Sequence, residues 1–138
     1  MFDTLMKNTV APLILRACLA AVFIFHGSQK VQEGGGANWD KQRPEDQRLA
    51  MPLQAAVAWG ELLGGIAMAL GFLTRVAAVG IAALMAGAIA TVHGSHGFAL
   101  PAGYEYNFVL IGICAVLLLT GPGNLAVDRV WRIRRKKT

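Results

Sequence analysis

The sequence predicts an all-α integral membrane protein, a four-helix bundle with both termini cytoplasmic. Three observations lead there. The chain has 138 residues, 55% hydrophobic and only 15% charged, with a mean hydropathy of +0.49. A soluble domain of this size needs far more polar surface. Four apolar runs approach the roughly 20 residues that cross a bilayer as a helix. Lysine and arginine are also distributed unevenly between the connections, as membrane orientation requires.

The chain reads as one domain, 1–138, with no repeat and no low-complexity stretch beyond Gly34-Gly35-Gly36. The first helix is expected over about 9–30 and carries Arg16 within its apolar run. A signal peptide is the competing reading. Arg16 interrupts the apolar region and no A-x-A site follows, so this helix is expected to be retained. An outer loop, 31–52, leads to a second helix over 53–73, whose one charge is Glu61. Thr74-Arg75 is the short connection to a third helix over 76–92 that lacks ionisable residues, so the two form an antiparallel hairpin. The fourth helix, 104–121, has Glu105 near its start, and Gly121-Pro122-Gly123 stops it before a basic tail, 124–138. Gly60-x-x-x-Gly64, and the repeating Gly80, Gly87 and Gly94, are expected to let helices approach closely.

The net charge is +5 and the pI about 9.7. Arg129, Arg132, Arg134, Arg135, Lys136 and Lys137 supply six positive charges, and without them the remainder is at −1. A nucleic-acid groove is therefore excluded. These six join Lys7 and Arg75 on one side, against Lys30, Lys41, Arg43 and Arg48 on the other, which places both termini in the cytoplasm. The expected location is the bacterial inner membrane, as a multi-pass protein. Arg129, Trp131, Arg132, Arg134 and Arg135 are expected to contact lipid or a cytoplasmic partner, and Trp39 a partner outside. Cys18 and Cys114 lie in apolar runs without metal or redox spacing, and read as small core residues.

In this topology His26, Lys30, Glu61, His93, His96 and Glu105 all lie toward the outer side. Arg16, Leu19, Phe23, His26 and Lys30 share an arc of about 80° on the first helix. An ionisable group in hydrocarbon costs about 3 kcal/mol or more, so Arg16 and Glu61 each need a partner, a wet cavity or a neutral form. Glu61 can pair with His26, Lys30 or an outstretched Arg16, and Arg16 can instead snorkel inward toward Asp128. The pattern is that of an interhelical ion pair or of a binding and proton-relay site comprising Arg16, His26, Lys30, Glu61, His93, His96 and Glu105. Such a cavity suits a quinone head, whose carbonyls accept hydrogen bonds while histidine and glutamate exchange protons near neutral pH. No residue is assigned as catalytic. No metal site is expected, since Glu-x-x-His is absent: Gly64 and Phe108 stand where the histidines would be. A haem between His26 and His93 is the weaker alternative.

Leu15-Arg16, Phe23-x-x-His26-Gly27-x-x-Lys30, Glu61-x-x-Gly64-Gly65 and Gly71-Phe72-Leu73-Thr74-Arg75-x-Ala77-Ala78 resemble the DoxX family of small bacterial membrane proteins. His93, Gly97-Phe98, Glu105 and Gly121-Pro122-Gly123-x-x-x-x-Asp128 are similar to its third-helix histidine, fourth-helix acid and closing segment. The resemblance covers most of the chain outside the loop from Gly34 to Pro52. It implies a four-helix membrane bundle that works with redox partners. The family takes its name from a subunit of an archaeal thiosulfate:quinone oxidoreductase, and mycobacterial relatives associate with superoxide dismutase and a sulfurtransferase.

The expectation is a membrane subunit of a quinone-linked redox or respiratory complex, contributing a quinone or proton site at the outer end of the bundle. The alternative is a non-catalytic accessory or assembly subunit that stabilises a larger membrane complex. A small solute channel or carrier is a third class, which would need an oligomer to make a wide path. Enzyme status stays open. Quinone is the one cofactor considered, and the partners are the lipid bilayer and other membrane-complex subunits. The sequence has no nucleotide fingerprint, iron–sulfur ligand set or reactive cysteine pair, so electrons would come from a partner.

Overall fold

A computed structural model describes residues 1–99 and 101–135, and the side chains of residues 1–99 and 101–131. The expected lipid contacts Arg132, Arg134 and Arg135 lie outside the described side chains. Among the described residues there is no strand. The helices are α1 (Phe2–Gln32), α2 (Met51–Leu70), α3 (Thr74–His96), α4 (Glu105–Thr120) and α5 (Val127–Arg135). One further short helical turn, Glu45–Gln47, lies in the loop between α1 and α2.

With 31, 20 and 23 residues, α1, α2 and α3 are long and apolar enough to cross a membrane. The 16 residues of α4 span only about 24 Å at 1.5 Å per residue. Leu63, Phe108 and Leu119 are exposed, the last at 83%, so apolar side chains cover the outside of the molecule as lipid contact demands. The core between the helices holds Leu19, Phe23, Met68, Ile81, Met85, Leu110, Cys114 and Leu117. Cys114 is buried there as expected, whereas Cys18 is exposed.

The closest helix pair is α1 with α2, and two glycines set its spacing. A Cβ on Gly65 would lie 2.7 Å from the Ile24 backbone nitrogen, and one on Gly27 would collide with the Leu62 backbone. Gly60 and Gly64 meet the Leu84 and Ile81 side chains of α3 instead. Gly80 and Gly87 differ from expectation: a Cβ at either would have nothing within 4 Å, so these are not packing contacts. Gly94 sits above the Ile89 carbonyl of its own helix.

The α2–α3 turn lies three residues earlier than Thr74-Arg75. Gly71 takes a left-handed conformation (φ 66°), and Phe72 N–H donates back to the Ala67 carbonyl, the glycine-centred stop that ends a helix. Leu73 is also left-handed (φ 48°), a conformation that costs a branched side chain about 1–3 kcal/mol. Asp128 holds it there. Its Oδ1 accepts from Leu73 N–H at 2.7 Å and its Oδ2 from Thr74 N–H at 2.8 Å, so a carboxylate from α5 caps the start of α3. The expected tail thus folds back as a helix, with Trp131 stacked on Phe72 at 6.2 Å between ring centroids.

Candidate functional site

Lys30 lies in the last turn of α1, where its ammonium meets Glu61 of α2. Nζ donates to both carboxylate oxygens, at 2.7 and 2.8 Å. Glu61 is only 4% exposed, so the charge that sequence placed in hydrocarbon has its counter-ion. The loop after α1 folds over this pair. Trp39 sits with its ring centroid 4.5 Å from Lys30 Nζ, a cation–π contact, and its indole N–H donates to the Gln54 carbonyl. Buried Asp40 receives the Leu49 N–H, Gln54 bonds to the Asp40 amide and the Leu49 carbonyl, and Arg43 reaches the Thr91 carbonyl of α3. Trp39 therefore packs inward and is half-buried.

Beside the ion pair lies a cavity of about 280 Å³ to which α1, α2, α3 and α4 all contribute. His26, Lys30, Glu61 and His93, four of the seven residues expected to converge, line it together. Phe23, Met85 and Leu110 form its apolar wall, and Tyr106 and Asn107 add polar groups from α4. Asn107 is buried and donates to Met85 Sδ at 3.4 Å. These last two were not foreseen, although Asn107 is the one polar side chain in the stripe with Leu110, Cys114 and Leu117 that faces the core.

His93 is set by irregular backbone. A wide π-type turn over Ile89–His93 departs from α-helical register, as such turns often do where function needs a side chain re-aimed. The ring Nδ1 lies 2.9 Å from the Ala102 carbonyl. A carbonyl only accepts, so Nδ1 carries the hydrogen and Nε2 of the neutral ring is an acceptor.

The other three candidates lie elsewhere. Arg16 is ten residues before His26, about 15 Å along the helix. It is 2% exposed, its Nη1 donates to the Pro122 carbonyl at 2.9 Å, and its Nε has no hydrogen-bond partner among the described residues. A Cβ on Gly71 would collide with the guanidinium, so the glycine that ends α2 also makes room for Arg16. His96 is exposed, and its Nδ1 approaches the Val92 carbonyl and Ser95 Oγ within its own turn. Glu105 opens α4 just before Tyr106 and does not line the cavity. Among the described residues, no group of three His, Cys, Asp or Glu is placed to hold a metal ion.

Long apolar helices around a buried ion pair and a small polar cavity define a helical membrane protein with a candidate small-molecule site. The DoxX family model matches residues 11–94, which include His26, Lys30, Glu61 and His93, and the chain belongs to that family. It is 32% identical over 119 residues to a protein of Bacillus subtilis (strain 168) named "Putative oxidoreductase CatD", covering 86% of this chain and 85% of that one. No solved structure matches it.

Proposed function

We propose that this protein is the membrane subunit of a quinone-linked redox complex and that the cavity beside Lys30–Glu61 receives the quinone head group. One observation carries the reading: His26, Lys30, Glu61, His93, Tyr106 and Asn107 come from four helices, α1 to α4, and line a single cavity. Its volume of about 280 Å³ lies near the lower end of small-molecule pockets, suited to a one-ring head. The similarity to a protein named as an oxidoreductase supports the class of chemistry.

The side chains fit such a ligand by donor count. Lys30 has three N–H donors and directs two at Glu61, which leaves one for a ligand carbonyl. The Tyr106 hydroxyl and a His26 ring N–H are further donors. A quinone, when bound, accepts two electrons and two protons, the electrons coming from a partner. Glu61 and His93 hold and pass protons, a carboxylate and an imidazole that both line the cavity. The apolar wall of Phe23, Met85 and Leu110 keeps bulk water from the ring.

This reading includes four spans, α1 to α4, bundled with both termini in the cytoplasm and the cavity toward the outer face. Lys7, Arg75 and the basic tail support that orientation. The test is Glu61→Gln in the purified protein, assayed for bound quinone and for quinone-dependent turnover with its native partner. Loss of both with the helices still folded is expected, and retained turnover overturns the role of Glu61.

The second reading is an accessory subunit that stabilises a larger complex. The closed Lys30–Glu61 pair favours it, because the pair also serves as a tie between α1 and α2. Deleting residues 36–47 then reduces co-purification of partner subunits, whereas unchanged co-purification counts against docking through that loop.

A further inference from the structure

The head-group cavity adjoins further hollow space across the Lys30–Glu61 pair. A second cavity, also about 280 Å³, lies between α2 and α3, and the two share Lys30, Glu61 and Ala88 as a common wall. A third, of about 580 Å³, meets the second at Gly80 and Leu84 and continues along the α2–α3 surface to Phe72 and Val76. From Thr91 to Val76 this hollow follows fifteen residues of α3, a path of about 22 Å.

Gly80 and Gly87 shape the hollow. Glycine in a membrane helix ordinarily lets another helix close in, yet a Cβ on either of these would meet nothing within 4 Å. Their missing side chains open the space on the α3 side. Across it stand Leu53, Val57, Leu63 and Leu70 of α2, so beyond Lys30 and Glu61 the walls are almost wholly apolar.

The geometry points to a binding groove for a hydrocarbon chain, occupied by the polyprenyl tail of the quinone whose head fills the cavity beyond Lys30–Glu61. This rests on the head-group reading proposed above and adds the route and the ligand class: a long-tailed, membrane-dissolved quinone that reaches the site from the lipid between α2 and α3. The junction selects the occupant by charge. Lys30 and Glu61 already neutralise each other through two contacts, so a phospholipid phosphate arriving there would find no unpaired cation to offset the cost of burying its charge. A neutral quinone ring carries no such cost.

The experiment compares two ligands, a tail-less dimethoxybenzoquinone and the same ring bearing a long polyprenyl chain, on the full-length protein in nanodiscs of neutral phospholipid. Dissociation constants are measured for the wild type, Gly80→Leu and Gly87→Leu, with the thermal midpoint as the check of folding. Open space at both positions makes folded variants the expectation, and Gly87→Ala serves as the milder variant should leucine fail to fold. Leucine in the groove is expected to weaken the long-tailed ligand by at least about tenfold and to leave the tail-less one unchanged. Unchanged binding of both ligands overturns the groove while preserving the head-group site. Equal weakening of both, a change of oligomeric mass in the leucine variants, or a co-purified phospholipid that the variants expel each overturns it as well. If neither ligand binds the wild type, the head-group reading fails and the groove assignment falls with it.

Discussion

Lys30 and Glu61 are joined across the α1–α2 interface by two charge-assisted hydrogen bonds, 2.7 and 2.8 Å long, at a carboxylate that is almost wholly buried. Breaking a buried pair leaves one uncompensated charge, whereas neutralising both partners leaves none. Glu61→Gln is expected to destabilise the protein by about 2–3 kcal/mol, somewhat below the full range for buried pairs because Lys30 keeps some access to solvent. Adding Lys30→Met to Glu61→Gln recovers most of that loss. A double-mutant cycle on unfolding in mild detergent measures it, and additive losses would show that the pair is not coupled.

The α1–α2 crossing depends on absent side chains. Gly65→Val drives a branched side chain into the Ile24 backbone, and Gly27→Leu does the same at Leu62. Neither backbone can give way as a flexible side chain would, so both variants should lose the folded monodisperse species on size exclusion. Gly80→Ala, facing open space, should elute and melt like the wild type.

Asp128 ties α5 to the start of α3 through the Leu73 and Thr74 amides. Asp128→Ala removes both acceptors and is expected to cost about 1–2 kcal/mol, the range for a lost helix cap. Because the same contact docks α5, trypsin should cut after Arg129 faster in this variant. Asp128→Asn, which keeps one acceptor oxygen, should fall between the two. Equal cleavage rates in all three would mean that α5 is held by other contacts.

Orientation is open to direct labelling. With Cys18 and Cys114 replaced by alanine, a cysteine at Lys41 should react with a membrane-impermeant maleimide in intact cells, and cysteines at Lys7 or Arg75 should react only after lysis. The opposite pattern would turn the protein over and place the cavity on the cytoplasmic side.

Much of the site was legible along the chain. His26 and Lys30 share a helical face, and ionisable residues in apolar runs draw attention by their cost, so Glu61 and His93 stood out with them. Arg16 shares that face too, yet it binds the carbonyl of Pro122, 106 residues away. Helical periodicity reports direction around an axis and is blind to what lies opposite at each level. Tyr106 and Asn107 were overlooked because the charge of Glu105 marked that turn more strongly than the uncharged groups beside it. The α2–α3 turn shifted for a similar reason: the cap that permits left-handed Leu73 comes from Asp128, far along the chain.

Hydropathy and residue spacing are local properties of the chain, and they are enough to set the helical class, the apolar lengths of α1 to α3 and the chemical types available to a site. Tertiary structure decided which charges meet, which glycines carry a helix crossing and which leave a hollow. Those outcomes depend on the neighbour that each helix face acquires on packing: Gly65 meets a backbone, Gly80 meets open space, and a local pattern of small residues is the same in both cases.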